Sequence, residues 1–112
     1  MSLRNKATLI GRTGKEVEVV KFENGQLAKV SLATTDHYTN ANGEKIEETQ
    51  WHNLVFHGKL SEIAEKYVKK GDEIAVEGKI VYKSYDDKDG VKRYITEIRV
   101  DELVMVGGNK PA

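Results

Sequence analysis

The segment Thr49-Gln50-Trp51-His52-Asn53-Leu54-Val55-Phe56-His57-Gly58-Lys59-Leu60 holds the only tryptophan of the chain. It reads as a β-strand, in which successive side chains point to opposite faces. His52, Leu54 and Phe56 fall on one face; Trp51, Asn53, Val55 and His57 fall on the other. The even face is core material. The odd face carries a large aromatic, an amide and an imidazole, which pack poorly together but suit the stacking of unpaired bases.

Downstream the hydrophobic period changes. Leu60, Ile63, Ala64, Tyr67 and Val68 recur at helical spacing, which predicts a short amphipathic helix with Tyr67 in its core stripe. Lys69 and Lys70 are expected in its last turn, complementing the macrodipole, with Gly71 placed to end it. Ile74, Val76, Ile80 and Tyr82 then alternate through a long strand containing Gly78. Residues 86–90 form a loop, 92–100 alternate again, and the alternation slips at Asp101-Glu102 before Leu103-Val104-Met105-Val106 closes the domain.

Upstream, residues 6–11 and 16–22 are extended around Gly11-Arg12-Thr13-Gly14, a long first strand bent at its glycines. Asn24-Gly25 is a strong hairpin signal. Ala28, Val30, Leu32 and Thr34 next give an apolar face against Lys29, Ser31, Ala33 and Thr35. Residues 36–48 are polar and turn-rich, with a second Asn42-Gly43, and are expected as a plain exposed hairpin tip. The order is strand, strand, strand, helix, strand, strand. That is the order of an OB-fold: an all-β, five-stranded antiparallel Greek-key barrel with one short helix. Other small barrels are the competing fold.

At 112 residues the chain is expected to form one domain over residues 1–106, followed by a short flexible tail at 107–112. A domain of this size buries roughly two thirds of its unfolded surface, so a core without staples is feasible. Cysteine is absent, which excludes disulfides and thiolate zinc sites and fits a reducing compartment. The N-terminus turns charged at once and lacks an apolar signal region, and no run approaches transmembrane length. A cytoplasmic, nucleoid-associated protein with no membrane partner is expected. Formal net charge is zero, with 18 basic and 18 acidic residues, so any polyanion site must come from the distribution of charge. Lys6, Arg12, Lys29, Lys79, Lys83 and Arg99 lie on strand-like segments, while acids cluster at 44–48, 86–89 and 101–102.

Catalytic readings find no support. His52 and His57 face opposite sides of their strand and cannot chelate one metal together. Asp87, Asp89 and Gly90 fit interior positions of a calcium loop, but its first and twelfth positions would be Tyr85 and Thr96. Gly11-Arg12-Thr13-Gly14-Lys15 lacks the spacing and the hydroxyl of a P-loop. No nucleophile motif surrounds Ser31, Ser61 or Ser84. No enzyme activity, cofactor or metal is expected.

Six pieces, in order, resemble the bacterial single-stranded DNA-binding protein family. They are Asn5-Lys6-Ala7-Thr8-Leu9-Ile10-Gly11-Arg12; Asn24-Gly25; Val30-Ser31-Leu32-Ala33-Thr34; Thr49-Gln50-Trp51-His52 with Gly58-Lys59-Leu60; Lys70-Gly71-Asp72 with Val76-Glu77-Gly78; and Gly90 with Arg93-Tyr94. The resemblance implies an OB-fold that wraps single-stranded DNA without sequence preference in replication, repair and recombination, as a homotetramer. It assigns base stacking to Tyr38, Trp51, His57 and Tyr85. The family favours tryptophan where Tyr38 and Tyr85 stand and phenylalanine at His57. Lys6, Arg12, Lys29, Lys59, Lys79, Lys83 and Arg99 are the candidate phosphate contacts. Relatives often continue into an acidic, hydrophobic tip that recruits replication and repair enzymes. No such tip stands in this sequence, so that recruitment is not expected of it.

Plainer roles compete at each position. Trp51 is a core tryptophan in that view, and His57 an inert histidine at a strand end. Tyr38 and Tyr85 then shield the barrel ends, and each lysine is merely solvated. His52 is expected in a structural or subunit-interface role, and Tyr94 in packing or at an interface. At the level of function the rivals are an OB-fold RNA-binding or primosomal replication module and a protein-interaction scaffold.

Overall fold

Alternation of apolar and polar residues builds every strand of this chain. The computed structural model describes residues 4–106 and shows β1 (Ala7–Thr13), β2 (Glu18–Phe22), β3 (Gly25–Thr39), β4 (Lys45–His57), α1 (Gly58–Tyr67), β5 (Glu73–Asp86) and β6 (Lys92–Met105). β1 and β2 are the two halves of the bent first strand, so the barrel has five strands when they are counted as one. The strands run β1-β5-β6-β4-β3-β2, and a further β1–β3 pairing closes the sheet on itself. Closure removes free edges from the barrel itself. The sheet is antiparallel as expected except at one short pairing. β4 and β6 run parallel, Asn53, Leu54 and Val55 lying beside Glu97, Ile98 and Arg99. Parallel neighbours need a long crossover, here α1 and β5.

The even residues of β3 and β4 point inward as expected. Leu32, Leu54, Phe56, Ile74 and Val76 are fully buried and form the centre of the core. The slip at Asp101-Glu102 is a bulge: Gly78 pairs with Val100 but Glu77 with Glu102.

The helix differs in phase and length from the periodic reading. Ser61, Ala64 and Val68 face the barrel, whereas Ile63 and Tyr67 are exposed. Ser61 can take an inward position because its hydroxyl donates to the Gly58 carbonyl at 2.6 Å. Tyr67 is therefore not a core residue. The helix ends at Tyr67, and Val68 is already extended. Lys69 and Lys70 thus lie beyond the last helical turn. The Lys69 amide donates to Asp72 Oδ2 at 2.8 Å and its carbonyl accepts from Thr13 Oγ1 at 2.6 Å, tying this turn to the end of β1.

Strand pairing also runs further than the sequence implied. β3 and β4 stay in register out to Thr39 and Lys45, so much of the 36–48 segment is strand and only residues 40–44 form the tip. β5 and β6 pair likewise to Asp86 and Lys92. The two hairpins project as arms, which raises the radius of gyration to 16.1 Å from about 13 Å for a compact chain of this length. The proposed tail at 107–112 lies outside the described residues.

Candidate nucleic-acid interface

Because the ladders of β3, β4, β6 and β5 are continuous, residues that share an outward side can be read across all four strands. One lateral row is Lys29, Val55, Arg99 and Lys79. The next is Ser31, Asn53, Glu97 and Val81. Further out on the same side stand Ala33 with Trp51, Ile95 with Lys83, and Arg93 with Tyr85. The barrel thus gathers Trp51, His57 and Tyr85 on one face with Lys29, Lys79, Lys83 and Arg99.

Trp51 is 62% exposed, so it is not a core tryptophan. Its ring lies against Gly14, where the bent first strand passes over the sheet. Tyr85 is also exposed, beside Arg93 on the opposite strand. Arg93 Nε donates to Asp87 Oδ2 at 2.8 Å. That bond, with backbone donors from Val91 and Asp89, holds the Asp87 carboxyl below its ordinary range.

His57 is half-buried at the junction of β4 and α1, and its side chain does not cap the helix. Its Nδ1 is shielded from solvent and has no hydrogen-bond partner in the fold. Burial lowers its pKa, the Arg99 and Lys83 charges lower it further, and Glu97 opposes them. The ring is therefore neutral and flat in an electropositive setting, which suits it to stacking.

Glu97 is a buried carboxylate within this face, 3.2 Å from Lys83 Nζ. It borders a concavity of about 180 Å³ between the Lys15-Glu16 connector and the sheet, with Lys29, Asn53 and Val55 along it. Among the described residues no ion pair holds Lys29, Lys59, Lys79 or Arg99. Arg12 lies outward beside Ala33, on the far side from Trp51, and donates to the Gly71 carbonyl at 3.2 Å.

Not every expected residue joins this face. Tyr38 pairs with Ile46 on the opposite side of the β3–β4 ribbon from Trp51, although it is exposed. Lys6 is held by Glu77 at 3.1 Å, round the barrel on the β1–β5 side. Lys59 stands on the helix, two residues beyond His57. His52 points inward and shares a 2.9 Å hydrogen bond with Thr34, a structural role. Tyr67 was missed in the sequence: it borders an open groove with Lys59, Ile63 and Lys66, and Lys66 Nζ sits 5.3 Å from its ring centre. The adjacency of lysine and tyrosine was the available signal. No cluster of three or more metal-ligating side chains occurs among the described residues, and none of their helices is long and apolar enough to cross a membrane.

Residues 4–106 match the single-strand binding protein family. The single-stranded DNA-binding protein of Bacteroides thetaiotaomicron is 50% identical over 105 residues, covering 91% of this chain and 65% of that protein. Its counterpart from Neisseria meningitidis serogroup A is 42% identical over 109 residues, covering 96% of this chain and 62% of that one. This chain thus spans less than two thirds of the length of these relatives. Among solved structures, the Plasmodium falciparum SSB in complex with single-stranded DNA superimposes with a TM-score of 0.86 at 26% identity, covering 96% of this chain and 98% of that one. A small single-stranded DNA-binding protein from Streptomyces coelicolor, 17% identical, shares the fold with a TM-score of 0.73, over 90% of this chain and 93% of that one. With a match that spans the whole described barrel, the chain belongs to the single-strand binding protein family.

Proposed function

We propose that this chain binds single-stranded DNA without sequence preference, stacking bases on Trp51, His57 and Tyr85 and neutralising phosphates along Lys29, Arg99, Lys79 and Lys83. The observation that carries this reading is the union of an exposed tryptophan and a row of cations on one continuous sheet face. Aromatic π-faces accept any base, and each stack contributes about 1–3 kcal/mol. A neutral chain can still bind a polyanion in this way, because local charge governs the contact. The names of the relatives and the DNA-bound structural neighbour support it. Arg12 and Lys59 extend the basic track on either side, and Tyr38 serves as a stacking residue only for a strand that reaches the reverse of its arm. The role is a binding one, not catalysis, exerted on unwound cytoplasmic DNA during replication, repair and recombination.

Oligomerisation belongs to the same proposal. Ile10, Ala75 and Val104 form an outward row across β1, β5 and β6, and Ile10 and Val104 are 58% and 59% exposed. An aliphatic row of this kind is suited to covering by further copies of the chain. A homotetramer would let one strand cross several subunits and gain effective concentration. Sedimentation of the free protein tests the assembly.

The binding itself is tested by anisotropy with labelled oligo-dT, an RNA of equal length and a duplex. Preference for the DNA single strand supports the proposal. Equal affinity for RNA would favour an RNA-binding module, and no binding at low salt would favour a protein scaffold.

A further inference from the structure

The β5–β6 arm has two faces, and only one has been given a role. Its ladder is unbroken from Gly78–Val100 to Asp86–Lys92, so alternation holds along the whole arm. Lys79, Lys83 and Tyr85 occupy the outward side. Ile80, Tyr82 and Ser84 occupy the other, opposite Ile98, Thr96 and Tyr94. Inside the barrel this second side is core, and Ile98 is buried there. Beyond the rim no strand among the described residues covers it, and only Asn5 continues alongside, bonded to the backbone of Ile80. The β1 ladder begins only at Ala7–Gly78, and β4 pairs with β6 only at residues 53–55. The face that begins as core therefore emerges into solvent, and Tyr82 and Tyr94 are each 77% exposed.

These two rings are diagonal neighbours, since Tyr82 faces Thr96 and Tyr94 faces Ser84. Diagonal positions on a ladder stand about 7–8 Å apart. That is about twice the 3.4 Å rise of a stacked duplex strand, a spacing for bases drawn apart on a stretched single strand. Lys92 lies on the same side at the end of the arm, opposite Asp86. Tyr38 lies on the corresponding reverse side of the β3–β4 arm. β4 and β6 run parallel, so both arms leave the same end of the barrel.

We propose that Tyr82 and Tyr94 form a second stacking platform for the same single strand, reached after it rounds the arm from Tyr85. This rests on the single-stranded DNA reading above. Continuity with the Tyr85 face and the Thr96 and Ser84 hydroxyls beside the two rings favour DNA as the occupant. The aliphatic row at Ile10 and Val104 is the better surface for a second copy of the chain.

The test compares the full chain with the Y82A/Y94A and Y82F/Y94F variants, using oligo-dT of increasing length. Anisotropy, Trp51 fluorescence and sedimentation are read together. For Y82A/Y94A the affinity for short oligomers and the quenching of Trp51 at saturation should be unchanged. Affinity for long oligomers should fall about tenfold or more, with the salt slope unaltered because no charge is removed. Y82F/Y94F keeps both π-faces and should bind as the unmodified chain does. Equal length dependence in Y82A/Y94A and the unmodified chain would overturn the proposal. So would dissociation of the oligomer by Y82A/Y94A, which would mark this face as a protein contact. Failure of the unmodified chain to bind at all would instead overturn the parent reading, and this one with it.

Discussion

Gly14 lies directly against the indole of Trp51: a Cβ at position 14 would stand 2.4 Å from Cζ3 and 2.6 Å from Cη2 of that ring. The bare backbone is what lets the indole lie on the sheet beside the cation rows. Gly14 does not have a positive φ, so alanine is acceptable to the backbone there and its methyl must move the ring. Gly14→Ala should shift Trp51 emission and weaken single-strand binding several-fold, a part of the ~1–3 kcal/mol of one stack. Its urea midpoint should change little, because the ring that moves is largely solvated. Paired fluorescence and urea titrations check this.

Gly11 has the opposite character. A Cβ there would meet the Ala33 carbonyl oxygen at 2.1 Å, where β1 and β3 close the barrel. Backbone cannot rotate aside as an indole can. Gly11→Ala should destabilise the fold by about 1–3 kcal/mol or more, read as a lowered urea midpoint with unchanged m.

Salt dependence separates the cations. Each phosphate contact to a single strand contributes about 0.7 to the slope of log K against log salt. Lys29→Ala, Lys79→Ala and Arg99→Ala should each lower the magnitude of that slope by about this amount. Lys6, held by Glu77 on the far side of the barrel, should leave the slope unchanged when replaced by alanine.

The outward face was legible in the sequence because strand alternation is strict. Parity alone put Trp51 with His57 and Leu54 with Phe56. What parity could not supply was where the barrel rim lies. Tyr82 keeps the inward phase of Ile74 and Val76 yet is largely exposed, because neighbouring strands stop short of it. The helix misled for a different reason. Leu60, Ile63, Ala64 and Tyr67 span more of the helix surface than one flat contact can cover, and Ser61 satisfies its own hydroxyl locally, so Tyr67 was turned outward. The parallel β4–β6 pairing depends on contacts far apart in sequence and leaves no local trace.

His57 predicts two effects of pH with one cause. Its pKa is lowered in the folded chain by burial, Arg99 and Lys83 against Glu97. Between the folded pKa and about 6.5 the unfolded chain binds more protons, so stability rises with pH. This contribution is complete above about 6.5 and is lost as pH falls toward the folded pKa. A bound phosphate beside the ring would favour its charged form, so DNA affinity should increase as pH falls toward the folded pKa. His57→Phe should keep the stacking surface and remove this part of the pH dependence in both stability and binding. Urea and anisotropy titrations across pH 5–8 check the pair.

The single tryptophan makes the central claim directly measurable. Titration of the unmodified chain with oligo-dT, followed by Trp51 fluorescence at low and high salt with a duplex control, reports on the proposed face itself. The account predicts strong quenching by the single strand, little by the duplex, and affinity that weakens as salt rises. Binding of the single strand that leaves Trp51 emission unchanged would contradict it, by placing the DNA somewhere other than the Trp51 face.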